Sequence, residues 1–253
     1  MLRVDCKSPA GIVCAAALAM AVASPALGSD TVDLGPIIVD RTEVTIGQFR
    51  AFLSARGVAT VAERDGGGFE FTGGWTRRPG WTWAAPYGKA GSDREPAVHV
   101  SWTEARDYCR HANGRLPTFG EWRLAAYTEL RDQPDDGFQT GRTYAYPVGD
   151  TPEGMNTSRR SHVEACTTKR GVNGLYDMGA NVWEWLADNL TSLPGYQPHP
   201  LYPDYSAPYV DDQHQMMLGG SWITSGTEAL RYYRNWFRPH FYQHAGFRIV
   251  QDL

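Results

Sequence analysis

Apolar side chains at Ile46, Phe49, Phe52 and Leu53 recur at the three-and-four spacing of one helix face, and Thr45 and Gln48 bracket its start as a capping box. The pattern predicts a helix over 45–56. The same start signal returns twice. Ser101-Trp-Thr-Glu104 leads into Ala105, Tyr108, Cys109 and Ala112 on one face, and Thr118-Phe-Gly-Glu121 into Trp122, Ala125 and Ala126. Between 65 and 95 the helical period disappears and Gly, Trp and Pro take over, which predicts strands and loops around 69–71 and 75–83. Short apolar runs at 36–39, 175–178, 216–221 and 246–250 read as strands. Few helices, short strands and long connections make an irregular, loop-rich α+β domain, low in regular structure. Ordered loops of such length are usually functional. A disulfide or a bound cation could order them.

Composition narrows the picture. The chain has 253 residues and no linker, repeat or low-complexity tract, so one domain is expected. A formal charge of −4 without a basic run excludes a nucleic-acid partner, which needs a cationic face. Aromatic residues reach 12% and exclude intrinsic disorder.

The first residues follow another logic. Arg3 and Lys7 precede an apolar stretch over 11–23, and Ser24-Pro25 breaks it before the small residues Ala26 and Gly28. That stretch falls short of the about 20 residues a membrane span requires. Residues 1–28 therefore read as a secretory signal peptide and 29–253 as the mature domain, periplasmic or secreted and without a membrane span. Cleavage takes away two basic and one acidic residue, moving the formal charge from −4 to −5. It also takes away Cys6 and Cys14 and leaves Cys109 and Cys166. An even pair in an oxidising compartment suggests a disulfide. Neither CxxC spacing nor a neighbouring histidine supports a redox-active or copper-binding pair.

Read in order, the motifs form a recognisable series. Asp40-Arg-Thr-Glu-Val-Thr-Ile-Gly-Gln-Phe49 comes first, with Val61-Ala-Glu63 and Phe69-Glu-Phe71 downstream. Pro96-Ala-Val-His-Val-Ser-Trp102 then runs through Tyr108-Cys109 to Arg115-Leu-Pro-Thr118 and Glu121-Trp122. Gly174-Leu-Tyr-Asp-Met178, Asn181-Val-Trp-Glu-Trp185, Leu218-Gly-Gly-Ser-Trp222, Arg231, Arg234 and Gly246-Phe-Arg248 complete it. The series resembles the sulfatase-modifying-factor family, the formylglycine-generating-enzyme-like proteins, across about 37–250. The resemblance implies a fold related to C-type lectin domains. It leaves the activity open, because the family holds copper-dependent oxidases, iron-dependent sulfur-transfer enzymes, exported maturation proteins and members without known catalysis.

The resemblance also assigns residues. Ser221 matches the family's active-site serine, flanked by Trp183 and Trp222. The copper(I) ion of formylglycine synthesis is held by two thiolates, and the matching positions here are Thr224 and Ala229, which argues against that chemistry. Cys109 matches a structural cysteine whose usual partner position is Ile249 here, so Cys166 would be a rewired partner. A structural calcium is implied at Asp177, the carbonyls of Ala180 and Val182, and Glu184, an all-oxygen set suited to a hard cation. Another calcium site needs an Asp-Gly-Phe stretch after Asn156, which the chain lacks.

Arg231, Tyr232 and Arg234 lie in a run similar to the ergothioneine-type members. They suit a substrate-binding groove for an anionic or peptide ligand, or equally a set of arginines cross-linking loops. His240 and His244 stand at the spacing that places two rings on one side of a helix, but Pro239 and Gly246 favour a solvated or hydrogen-bonded pair over a metal site. His99 reads as a structural histidine in a strand. The resulting expectation is an exported oxidoreductase or maturation factor acting on a protein or peptide-derived substrate. Its structural ion is calcium; its redox metal is unassigned, with iron left open. The alternative is a non-catalytic binding module using the lectin-like surface.

Overall fold

All three capping boxes form. In the computed structural model, which describes residues 30–72, 74–189, 215–224, 234–237, 242 and 245–252, the Thr45 hydroxyl accepts the Gln48 N–H and the Gln48 side chain accepts the Thr45 N–H at 2.9 Å. This starts α1 (Ile46–Arg56), which Gly57 ends in the left-handed conformation. Thr60 and Glu63 make a further box for the single turn α2 (Val61–Arg64), too short to leave a periodic signal. The longer helices are α3 (Trp102–His111) and α4 (Phe119–Tyr127), capped by Ser101 and Thr118 as the sequence predicts.

Among the described residues the strands form three small sheets. β1 (Thr31–Asp33), β2 (Ile37–Asp40) and β9 (Val250–Asp252) make an antiparallel sheet that ties the two ends of the domain together. β3 (Phe69–Phe71) and β4 (Trp75–Arg77) form a hairpin. The central sheet has the order β7-β6-β5-β8, from β5 (Trp183–Asn189), β6 (Gln215–Leu218), β7 (Arg234–Phe237) and β8 (Ala245–Gly246). β5 pairs antiparallel with β6 and parallel with β8.

The core lies on both sides of the β5–β6 pair. Trp183, Trp185 and Met217 join Phe49, Phe52, Tyr108 and Phe247 in one apolar cluster against α1 and α3. Leu186, Met216 and Leu218 join Trp122, Ala125 and Leu175 in the other, against α4. Burial on both faces explains why β5 shows no alternation in the sequence. Polar anchors fix the sheet against the helices: Trp185 Nε1 donates to the Val100 carbonyl at 3.1 Å, and Trp102 Nε1 to the Leu186 carbonyl at 2.8 Å.

Three expectations are corrected. Residues 175–178 are not a strand, because a 3-10 turn at Val172–Gly174 precedes them and Asp177 adopts a left-handed φ of 58°. The strand expected over 216–221 stops at Leu218, since Gly219 and Gly220 take φ of 100° and 77°. The single strand expected over 246–250 is split between β8 and β9. The cysteine pairing is corrected too. Cys109 is a free thiol, so the Cys109–Cys166 disulfide is not formed. Cys109 faces the apolar core on α3 together with Ile249, and burial pushes its thiol well above the ordinary range. A thiol held there is inert packing.

Candidate functional site

The end of β6 delivers Ser221 and Trp222 into a tight turn. Positive φ at Gly219 and Gly220 reverses the chain, and a Cβ at Gly219 would lie 3.1 Å from the Met178 carbonyl oxygen. The turn is closed by Thr224, whose hydroxyl accepts the Ser221 N–H at 2.8 Å while its own N–H donates to the Ser221 carbonyl. It is tied to the segment before β5: Ala180 N–H donates to the Gly219 carbonyl at 2.7 Å and Trp222 N–H to the Asn181 carbonyl at 2.9 Å. Asn181 is the local hub. Its Oδ1 accepts from Asn156 Nδ2 and from the Val163 N–H, both at 2.9 Å, and its Nδ2 donates to Glu43 Oε1.

Two polar atoms in this turn are left over. Ser221 Oγ and Trp222 Nε1 are buried and have no hydrogen-bond partner. Buried hydroxyl and indole groups are normally satisfied, and an orphan of this kind calls for an explanation. The adjoining backbone is also strained, with non-glycine left-handed φ at Asp177, Ala180 and Asn181. Such conformations cost free energy and collect at functional sites.

Beneath the turn lies a buried charge cluster. Arg248 is 0% exposed and forks onto Glu184, also 0% exposed, with its Nη2 at 2.8 Å from Oε1. Its other donors reach the carbonyls of Asp40 and Tyr176 at 2.7 Å. Trp122 Nε1 donates to Glu184 Oε2 at 2.7 Å. Glu43 and Asp177 are buried nearby, each with one orphan oxygen, Oε2 and Oδ2. Burial, reinforced by the neighbouring carboxylates, pushes the Glu43 carboxyl well up and that of Asp177 to about 6.

This geometry tests the implied calcium set. Asp177 fits: Oδ1 accepts the Thr168 hydroxyl at 2.7 Å and Oδ2 is free to face a cation. Glu184 does not fit, because both of its oxygens already receive protein donors. Among the described residues no three His, Cys, Asp or Glu side chains converge as a metal site.

The other candidates fall into place unevenly. Trp183 packs into the α1–α3 core with Trp185. Trp222 flanks Ser221. Arg234 opens β7, whereas Arg231, Tyr232, Ala229, His240 and His244, like residues 1–28, lie outside the described residues. His99 is buried but not in a strand, with a left-handed φ of 54° and Nε2 at 2.9 Å from the Pro86 carbonyl oxygen. The site also contains residues absent from the sequence reading. Tyr87 meets the Trp222 ring edge-on at 6.4 Å and stacks on His162 at 5.1 Å. Their separation along the chain left no motif to find; only the Tyr87 and His162 residue types hinted at chemistry.

With this geometry in view, relatives become informative. Residues 15–253 match the family described as Sulfatase-modifying factor enzyme 1-like domain. The chain belongs to that family. A formylglycine-generating enzyme of Thermomonospora curvata is 33% identical over 264 residues, covering 88% of this chain and 84% of its own length. A hercynine oxygenase of Mycobacterium tuberculosis is 33% identical over 168 residues, covering 63% of this chain and 37% of its own. The solved structure of PvdO from Pseudomonas aeruginosa superposes with a TM-score of 0.55 at 19% identity, over 86% of this chain and 80% of that one, and supports the fold alone. The family thus includes oxidoreductases. No helix among the described residues is long and apolar enough to cross a membrane.

Proposed function

We propose that the chain is an exported oxidoreductase or maturation factor of this family, acting on a thiol or phenol group of another exported protein or a peptide-derived molecule. The observation that carries the reading is the buried pair of orphans, Ser221 Oγ and Trp222 Nε1, on a strained turn. Together they offer a hydrogen-bonding cradle to a ligand's reacting end. Calcium belongs to the same proposal as a structural ion at Asp177 Oδ2 and the carbonyls of Ala180 and Val182, with Glu184 left to Arg248. A redox metal, when bound, would take electrons from the substrate; its ligands are unassigned.

The test uses protein purified without chelator, supplied in turn with copper or iron, and incubated in air with cysteinyl and tyrosyl peptides. Oxygen uptake and a mass change in the peptide are expected. Ser221→Ala should lose turnover while its thermal melt and circular dichroism stay unchanged. Full activity in that variant would remove Ser221 from the site. One observation favours a second reading, a non-catalytic binding module: Thr224 stands where a copper thiolate is needed and its hydroxyl is occupied by the Ser221 N–H. Peptide binding without turnover under either metal would support it.

A further inference from the structure

Tyr87 and Glu95, both from the connection between β4 and α3, and His162, from a later loop, meet in a single hydrogen-bonded line. Glu95 Oε2 lies 2.8 Å from His162 Nε2, and His162 Nδ1 lies 3.0 Å from the Tyr87 hydroxyl. The imidazole is fully buried, with a side-chain exposure of 0%. Its partners decide its tautomer. The hydrogen bond from His162 holds the Glu95 carboxyl below the usual carboxylate range, so Glu95 is ionised and can only accept. The proton of the neutral ring therefore sits on Nε2, and Nδ1 presents a lone pair. Burial pushes the Tyr87 phenol well above its ordinary value, so it keeps its proton and donates it to Nδ1. The His162 main-chain N–H donates to the same hydroxyl oxygen at 3.2 Å. One lone pair of that oxygen remains for a ligand.

The line ends at the candidate site. The Tyr87 ring meets the Trp222 indole edge-on, and Arg159, in the loop that carries His162, donates its N–H to the Trp222 carbonyl at 3.0 Å. The loop is pinned from the other side by Val163, whose N–H donates to Asn181. Relay and turn are thus built on one scaffold, with the Tyr87 ring against the Trp222 ring.

We propose that Tyr87, His162 and Glu95 form a proton relay that accepts the acidic proton of a thiol- or phenol-bearing ligand bound at Ser221 and Trp222. The ligand class rests on the functional reading above; the relay rests on its own geometry. In the step, the ligand's S–H or O–H proton passes to the free lone pair of the Tyr87 oxygen. The phenol's original proton passes to His162 Nδ1. Tyr87 ends neutral, His162 becomes an imidazolium facing the Glu95 carboxylate, and the ligand is left as a thiolate or phenolate. Charge and protons balance without an added reactant. An anionic sulfur or oxygen is the form that a one- or two-electron oxidation consumes most readily.

Two measurements test this. The first needs no ligand: nitrogen-15 spectra of the imidazole should place the proton on Nε2, and Tyr87→Phe should shift the Nδ1 resonance by removing its donor. A proton on Nδ1, or an unmoved Nδ1 resonance in Tyr87→Phe, overturns the relay whatever any peptide does. The second is calorimetric titration with a cysteinyl peptide in two buffers of different ionisation enthalpy. Wild type should bind without releasing a proton to the buffer. His162→Gln should bind at least about tenfold more weakly and Tyr87→Phe should do the same. Equal affinity and equal proton count in wild type and variants overturn the relay. Should neither a cysteinyl nor a tyrosyl peptide bind wild type, the functional reading fails, and the spectra alone decide the relay. Tyr87→Phe keeps the ring stacking, so it carries the test if His162→Gln does not fold.

Discussion

Arg248 and Glu184 show how much one residue can be made to hold. The pair is fully buried, and the guanidinium also satisfies the carbonyls of Asp40 and Tyr176, from two distant segments of the chain. Removing one partner of such a pair leaves an uncompensated buried charge, at a cost of about 3–5 kcal/mol. Arg248→Met should therefore lower the free energy of unfolding measured in urea by that much; a change within experimental error would show that the pair is dispensable. Residues of the site differ in how visible they were. Gly219, Gly220, Ser221 and Trp222 form a local motif whose turn follows from glycine's access to positive φ, so it could be read directly. Glu43 and Arg248 stand 205 residues apart in the numbering and were legible only as parts of separate motifs. Tyr87, Glu95 and His162 had no motif at all.

At the scale of elements, the helices were read best, because their signals are local. Each capping box lies within four residues and each apolar face within three turns. The start of α4 is also an electrostatic junction. Arg115 forks onto Glu121 with both contacts at 2.7 Å and reaches Asp252, the last residue of β9. Hydrogen bonding from Arg115 pulls the Glu121 carboxyl down to about 2. A depressed folded-state pKa stabilises the fold above the ordinary carboxylate range, and this contribution is lost as pH falls from about 4.5 toward 2. Glu121→Gln should therefore flatten stability across that window, measured by chemical denaturation at stepped pH. Thr118→Ala, which removes the cap, should cost about 1 kcal/mol. The strands were read less well. The run at 175–178 has the composition of a strand, but left-handed Asp177 turns it aside, and backbone sign is not written in hydrophobicity.

At the scale of the molecule, the described residues form three sheets with few strands and long loops, and their buried cluster of three carboxylates facing one arginine carries an excess of negative charge. In the metal-free protein this excess has a pH signature. The Asp177 pKa is raised to about 6 by burial, so its contribution is fully present below the unfolded value near 4 and lost as pH rises through 6. Chelated protein should accordingly lose stability between pH 4 and about 6, and Asp177→Asn should remove that loss. Calcium at neutral pH should raise the melting temperature of wild type and leave Asp177→Asn unmoved. Equal melting temperatures with calcium and with chelator would exclude a structural calcium at Asp177.

The sequence by itself determined the three longer helices, their inward faces, the α+β class and the order of motifs that identifies the family. These are encoded over a few residues, where propensity, capping and glycine stereochemistry act without help from the rest of the chain. Tertiary structure alone decided that Cys109 is core packing, that Glu184 answers to Arg248 and not to a cation, and that Tyr87, His162 and Glu95 meet beside Trp222. Those outcomes depend on which distant groups share a buried, low-dielectric space. There a charge or polar atom must find its partner from whatever the fold brings near.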